Sequence, residues 1–214
     1  FRAPCDNDNW IRASWISNGL HNLRPHVLSQ RITPQPDGSV ELFFAVRWQA
    51  PNEATLTMTK ASGHYKITEH TDKPLGRDDF SIMAQQVWYV SPSGDVTLRS
   101  SLSSSKPALP LGRLGYEFVL PQRFDRYTYY GRGPVNNYAD RKSGQFVGKY
   151  QSRVADQFIH FPKPQTMANR EDVRWVSLRD VAGKGLLFVT DSVMTSSALP
   201  WSALDLMLAP HPHE

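Results

Sequence analysis

The sequence predicts an all-β, antiparallel fold with one or two short helices. Apolar and polar residues alternate with a period of two over several segments, as they do along half-buried strands. The 16 Pro and 13 Gly among 214 residues supply frequent turns. Aromatic residues make up 11% of the chain, and they suit a pleated, half-covered surface. Strand and helix patterns do not alternate, which excludes a TIM barrel and a dinucleotide-binding α/β fold.

The chain opens with a short helix expected over Asn9 to Asn18, where Ile11, Trp15 and Asn18 fall at i, i+4 and i+7. Asp8 or Asn9 is placed to cap its start, and Gly19 to stop it. Val40, Leu42, Phe44, Val46 and Trp48 then alternate with polar neighbours and predict a strand. Leu56 with Met58 and Tyr65 with Ile67 repeat the pattern. A hairpin is expected where Gln86–Val90 runs through Ser91-Pro92-Ser93-Gly94 into Val96, Leu98 and Leu102. Ser100 to Pro110 is the best loop candidate. Tyr116, Phe118 and Leu120 predict a further strand, and Val173–Leu178 with Leu186–Val189 a last hairpin turning at Ala182–Gly185. Ser202 to Ala209, just after Pro200, reads as a second short helix. Together these elements predict one antiparallel sandwich domain over residues 1–214.

Composition narrows the partners. With 40% hydrophobic and 21% charged residues the chain has ordinary globular proportions. Its net charge is +4, but the densest basic run, Arg123-Phe124-Asp125-Arg126, is broken by an acid. No clustered footprint for nucleic acid results. Cys5 is the only cysteine, so neither an intrachain disulfide nor a cysteine zinc site can form. No apolar run reaches the roughly 18 residues of a membrane-spanning helix. The abrupt ends at Phe1-Arg2-Ala3-Pro4 and His211-Pro212-His213-Glu214 read as cuts through a longer sequence.

Three clusters could carry chemistry. Asp6-Asn7-Asp8 can bind hydroxyls or a hard cation, and such residues also form turns and helix caps. Tyr129 to Lys142 gathers aromatics, amides and charges around Gly131, Gly133 and Pro134, which are expected to force tight turns. Arg132, Asn137, Tyr138, Asp140 and Arg141 could line a sugar site, or they could be a structural knot, with Arg141 pairing Asp140 or a nearby acid. Asn169-Arg170-Glu171-Asp172 holds two adjacent carboxylates. On an extended segment these point to opposite faces, which argues against a glycosidase pair. Of the seven His, only His211 and His213 are closely spaced, a poor metal site by themselves. No nucleophile-elbow, zinc-protease or phosphate-loop motif is present.

Several of these phrases occur together in one known family. Arg2-Ala3-Pro4-Cys5-Asp6-Asn7-Asp8 resembles the opening of the C-terminal sandwich of glycoside hydrolase family 2 β-galactosidases. Tyr130-Gly131-Arg132-Gly133-Pro134 and Asn137-Tyr138-Ala139-Asp140-Arg141 are similar to its Gly-x-Gly-Pro-x-Glu-Asn-Tyr-x-Asp-Arg motif. Pro164-Gln165, Asn169, Asp172-Val173-Arg174-Trp175, Ser197–Ser202 and the closing His211–Glu214 follow in family order.

The resemblance implies a galactose-mutarotase-like antiparallel supersandwich, the small-chain domain of the family. It implies a non-catalytic accessory role in a retaining enzyme that hydrolyses terminal β-D-galactosides. The domain packs on an upstream TIM barrel and sandwich domains of the same polypeptide, and the barrel holds the catalytic glutamates. Asp6, Asn7 and Asp8 would lie at the rim of the sugar pocket or support it. Arg132, Asn137, Tyr138, Asp140, Arg141, Asn169 and Glu171 would form the carbohydrate-binding or structural motif. No catalytic residue and no metal site is expected in this stretch, although parent enzymes of the family often use Mg and Na ions. A homo-oligomeric parent in a bacterial cytoplasm or periplasm is compatible with the resemblance. A family Gly-Asp-Asp-Ser-Trp-like segment is not reached, so the last strands of the sandwich are expected to be missing.

Asn136 stands where the family motif has Glu, Cys5 fills a variable position, and Ala168 stands where Gly is common. Two other classes remain open. One is an independent carbohydrate-binding module. The other is an aldose epimerase using Glu171 with His64 or His160, which polarimetry on fresh galactose would reveal.

Overall fold

A computed structural model describes residues 1–61, 64–74 and 79–209. Over these residues the protein is all-β and antiparallel, as the period-two pattern predicts, with two short helices. It divides into two compact units. One comprises Phe1 and Asp6–Arg113, the other Arg2–Cys5 and Leu114–Glu214.

The first unit contains α1 (Arg12–Ser17), β1 (Arg24–Pro34), β2 (Val40–Gln49), β3 (Asn52–Ala61), β4 (His64–Pro74), β5 (Ile82–Val90) and β6 (Val96–Ser104). Four of these strands form a sheet in the order β1-β2-β5-β6, while β3 and β4 pair as a separate hairpin. The β1–β2 turn follows from Pro36-Asp37-Gly38. Gly38 takes φ +83°, which an L side chain rarely adopts, and Asp37 Oδ1 accepts from the Ser39 amide at 2.9 Å. Trp15 of α1 is buried with Ile11, Leu20 and Phe80, and its indole Nε1 donates to the Pro110 carbonyl at 2.7 Å. The side-chain alternation expected of Leu56, Met58, Tyr65 and Ile67 lies outside what is described.

The second unit holds β7 (Arg126–Gly133), β8 (Phe146–Arg153), β9 (Arg170–Arg179), β10 (Gly185–Ser196) and α2 (Ala203–Leu208). Its sheet runs β10-β9-β7-β8. Tyr127, Tyr129, Val173 and Val176 make the core, with Tyr150, Leu178, Phe188 and Met194 against it. The β9–β10 hairpin turns where expected, closed by Asp180 Oδ1 accepting from the amides of Ala182 and Lys184. α2 starts at a capping box: the Asp205 amide donates to Ser202 Oγ, and the Ser202 amide donates to Asp205 Oδ2.

Four expectations are corrected. The first helix begins only at Arg12, with Ile11 at its N-cap and no side-chain cap. Asp6–Asp8 instead closes its own 3-10 turn, in which backbone carbonyls accept from Asn9 and Ile11, so neither Asp8 nor Asn9 caps the helix. The segment around Tyr116, Phe118 and Leu120 joins no ladder; Phe118 lies on the Phe188 ring at 5.0 Å instead. Ser100–Ser104 continues β6, and the loop starts only after it. Gly131 and Gly133 are not turn residues but strand residues of β7.

Candidate functional site

The motif residues converge at the end of β7, where the chain leaves the sheet through Gly133-Pro134 and returns as β8. Arg132 follows from β7 with its Nε 2.5 Å from Asp172 Oδ2 on β9. Its Nη1 donates to the Gln145 carbonyl at 2.8 Å, tying strand to loop. Lys142 Nζ meets Asp172 Oδ1 at 2.8 Å and lies 4.0 Å from Glu171 Oε2. The two carboxylates therefore face one ammonium, contrary to the expectation of opposite faces. The reason is local: Asp172 takes φ +53°, which breaks the alternation of an extended strand.

Beneath this charged rim sits Asn137, fully buried. Its Nδ2 donates to the carbonyls of Arg132 (3.0 Å) and Val135 (2.9 Å), and its Oδ1 accepts from the Glu171 amide at 2.8 Å. Its backbone amide donates to the Asn169 carbonyl at 2.9 Å. Asn169 Nδ2 answers by donating to the Asn137 carbonyl and to Glu171 Oε1, both at 2.8 Å. One side chain thus supplies what a peptide ladder would supply to three otherwise orphaned backbone groups.

Arg170 is buried beside this pair. Nε donates to the Tyr129 hydroxyl at 2.9 Å, Nη2 to Gln157 Oε1 at 2.6 Å and Nη1 to the Asn169 carbonyl at 3.1 Å, and the guanidinium lies 5.5 Å from the Tyr129 ring centre. Its hydrogen-bond partners are all neutral, which the planar five-donor fork of arginine accommodates. Burial pushes the Tyr127 hydroxyl up to about 12. It raises Tyr129 as well, opposed there by the Arg170 charge.

The remaining expected site residues lie elsewhere or outside the knot. Asp140 and Arg141 are exposed and do not pair; Arg141 stacks over the Tyr138 ring at 4.6 Å and donates to the Asn136 carbonyl. Asp6 and Asn7 are exposed and Asp8 is buried, all three in the 3-10 turn before α1. Glu171 is engaged by Asn169, whereas His160 packs edge-on against Phe158, so these two do not pair; the side chain of His64, the other partner expected for Glu171, and the His211–His213 end lie outside the description. Among the described residues no three His, Cys, Asp or Glu side chains gather as a metal site. The motif reading did not foresee Lys142 and Gln145 as partners of Arg132, nor Gln157 as that of Arg170. The available signal was the run of charges at the start of β9, Arg170-Glu171-Asp172, which needs partners wherever the strand is buried.

Two predictions arise here. Hydrogen bonds from Lys142 and then Arg132 hold the Asp172 carboxyl below its ordinary range. Its stabilisation is therefore complete above the unfolded carboxylate value of about 3.9 and is lost as pH falls through the lower folded value. Denaturant midpoints followed from about pH 6 into acid should show a shallower acid limb for Asp172→Asn than for the parent. Ala168, buried just before Asn169, has φ +64°. Glycine escapes the left-handed penalty but is freer in the unfolded chain, so Ala168→Gly should raise stability by about 0.5–1 kcal/mol in the same titration.

Comparison with known proteins places these features in context. The whole chain, residues 1–214, matches the family described as β-galactosidase small chain. It is 29% identical over 157 residues to a β-galactosidase of Halalkalibacterium halodurans, covering 71% of this chain and 14% of that protein. It is 35% identical over 126 residues to one of Lactobacillus delbrueckii subsp. bulgaricus, covering 58% and 12%. It is 25% identical over 223 residues to one of Arthrobacter sp. strain B7, covering 100% and 21%. The chain thus spans a small part of the length of each of these relatives.

Proposed function

We propose that this chain, which belongs to the β-galactosidase small-chain family, is a non-catalytic part of a longer polypeptide that hydrolyses terminal β-D-galactosides. In this reading residues 1–214 form one small-chain domain that packs on a catalytic barrel and helps shape its sugar pocket. The observation that carries it is a family match over the whole chain together with relatives named β-galactosidase that are several times longer. The geometry supports the accessory role. Asn137, Arg170 and Glu171 have their polar groups committed to neighbours within the fold, which leaves the knot little to offer a reacting sugar. Asp6 and Asn7, by contrast, are exposed and available to a neighbouring domain. Any Mg or Na ion of the parent is assigned to residues outside this chain.

The full-length polypeptide is expected to release nitrophenol from a nitrophenyl β-galactoside, and residues 1–214 alone are not. In the intact enzyme Asp6→Ala is expected to change kcat or KM at unchanged melting temperature. Turnover that follows the 1–214 chain through repurification overturns the accessory role. A full-length protein active only on other glycosides overturns the galactoside assignment.

A further inference from the structure

We propose that the polar face of the sheet β1-β2-β5-β6 carries a binding site for a small carboxylate with an apolar body, held by Arg47. Residues paired across an antiparallel ladder share a face. The register therefore puts His26, Arg47, Met83 and Ser103 in one row across the four strands, and Arg31, Phe43, Val87 and Arg99 in another. Arg24 joins the same face through its partner Gln49. The opposite face takes Leu42, Phe44, Val46, Trp48, Trp88 and Leu98. Four arginines that are scattered in the sequence thus meet on one surface. Glu41 is the only carboxylate that these strands place there. It lies at the other end of β2 from Arg47, 3.7 Å from Arg31.

A hollow of about 530 Å3 opens beside Arg47, lined by Leu28, Arg47, Ser81 and Met83. That volume lies within the roughly 300–1,000 Å3 of small-molecule sites. The Nε of Arg47 is buried and has no hydrogen-bond partner among the described residues. A buried charged donor is costly until it meets an acceptor, and a guanidinium fork matches the two oxygens of a carboxylate. Leu28 is the extra residue of the bulge where β1 slips register between Val27 and Ser29, so it has no ladder partner and stays 52% exposed beside the hollow. Leu28 and Met83 offer the apolar wall that a hydrocarbon body would cover. Ser81 is the other polar residue of the wall, its backbone fixed by Ser105, whose Oγ accepts from the Ser81 amide at 2.8 Å and whose amide donates to the Ser81 carbonyl at 3.0 Å. One guanidinium against two apolar side chains suits a monoanion with a hydrocarbon body better than a phosphate, which needs more donors.

Calorimetric titration of the full-length polypeptide with hexanoate tests it, with hexanol as the neutral probe and inorganic phosphate as the anion without an apolar body. Hexanoate is expected to bind saturably, and hexanol and phosphate about tenfold more weakly or less, since one lacks the charge-assisted hydrogen bonds and the other the apolar contact. Arg47→Met keeps an apolar stem and should weaken hexanoate about tenfold or more, down to the level of hexanol. Arg99→Met removes a charge from the same face without touching the hollow, and at about 0.15 M salt should change the affinity less than about twofold. No saturable binding of hexanoate overturns the proposal, as does hexanol or phosphate binding equally well. The comparison of probes needs no variant, so it stays decisive if Arg47→Met does not fold. Equal effects of the two substitutions also overturn the site. If hexanoate does not bind while Arg47→Met lowers the melting temperature, the acceptor is a carboxylate of the polypeptide itself, and the proposal falls.

Discussion

Asn137→Ala is expected to lower the stability of its unit by about 3–5 kcal/mol, read as a fall in denaturant midpoint at unchanged slope. The residue is fully buried, and its amide alone satisfies the carbonyls of Arg132 and Val135 and the amide of Glu171. Each buried group left without a partner costs about 1–3 kcal/mol, and relaxation or an entering water recovers part of the sum. Asn137→Asp separates hydrogen bonding from packing. It keeps the shape and the acceptor for Glu171 but points oxygens at two carbonyls and buries a charge, so it should be at least as damaging. Asp140→Ala, three residues on but exposed, should stay within about 0.5 kcal/mol. If the two alanine variants behave alike, the loop is not held by Asn137.

The second large effect is expected at Gly131. A Cβ there would stand 2.9 Å from the Val173 Cα and 2.7 Å from its Cγ2. The Cα cannot swing aside as a side chain can, so β7 and β9 must part just beyond Tyr130 and Trp175, the last pair of their ladder. Gly131→Ala should therefore cost about 3 kcal/mol, the upper range for overpacking, and lower the melting temperature by on the order of 10 °C. Gly144→Ala is the control, because nothing lies within 4 Å of a Cβ at that position. It should melt close to the parent.

These two residues also show how far the sequence could be read. Where turns are marked, as in β2, the β5–β6 hairpin, the β9–β10 hairpin and α2, period and turn chemistry located the elements, although β10 runs on to Ser196, well beyond the expected Val189. β1 escaped because prolines and mixed polarity along Arg24–Pro34 erase the alternation, its residues being mostly exposed. β7 escaped for a different reason. Glycines suggest turns by default, whereas here Gly131 admits a neighbouring backbone, a requirement set by residues about 40 positions away. Around Tyr116 the opposite happened: alternation was present, but no strand lies alongside to pair with it. At the site, the motif marked Arg132, Asn137, Asn169 and Glu171, which do meet. It could not give the partners, since Arg132 to Asp172 and Asn137 to Glu171 are long-range contacts. The pairing expected between adjacent Asp140 and Arg141 failed because sequence proximity says nothing about which way an exposed loop turns its side chains.

The loop after β7 has two fastenings that respond differently to the surrounding medium. The outer one, Arg132 and Lys142 on Asp172, is ionic and partly open to water, so added salt screens it and acid discharges it. The inner one, Asn137 with Asn169, is made of uncharged amides that have no proton to gain or lose across the physiological range and no net charge for counter-ions to screen. A change of ionic strength or acidity loosens the rim while the amide bridge beneath keeps its bonds. The end of β7 and the start of β9 therefore stay joined in dilute, saline and mildly acidic surroundings alike.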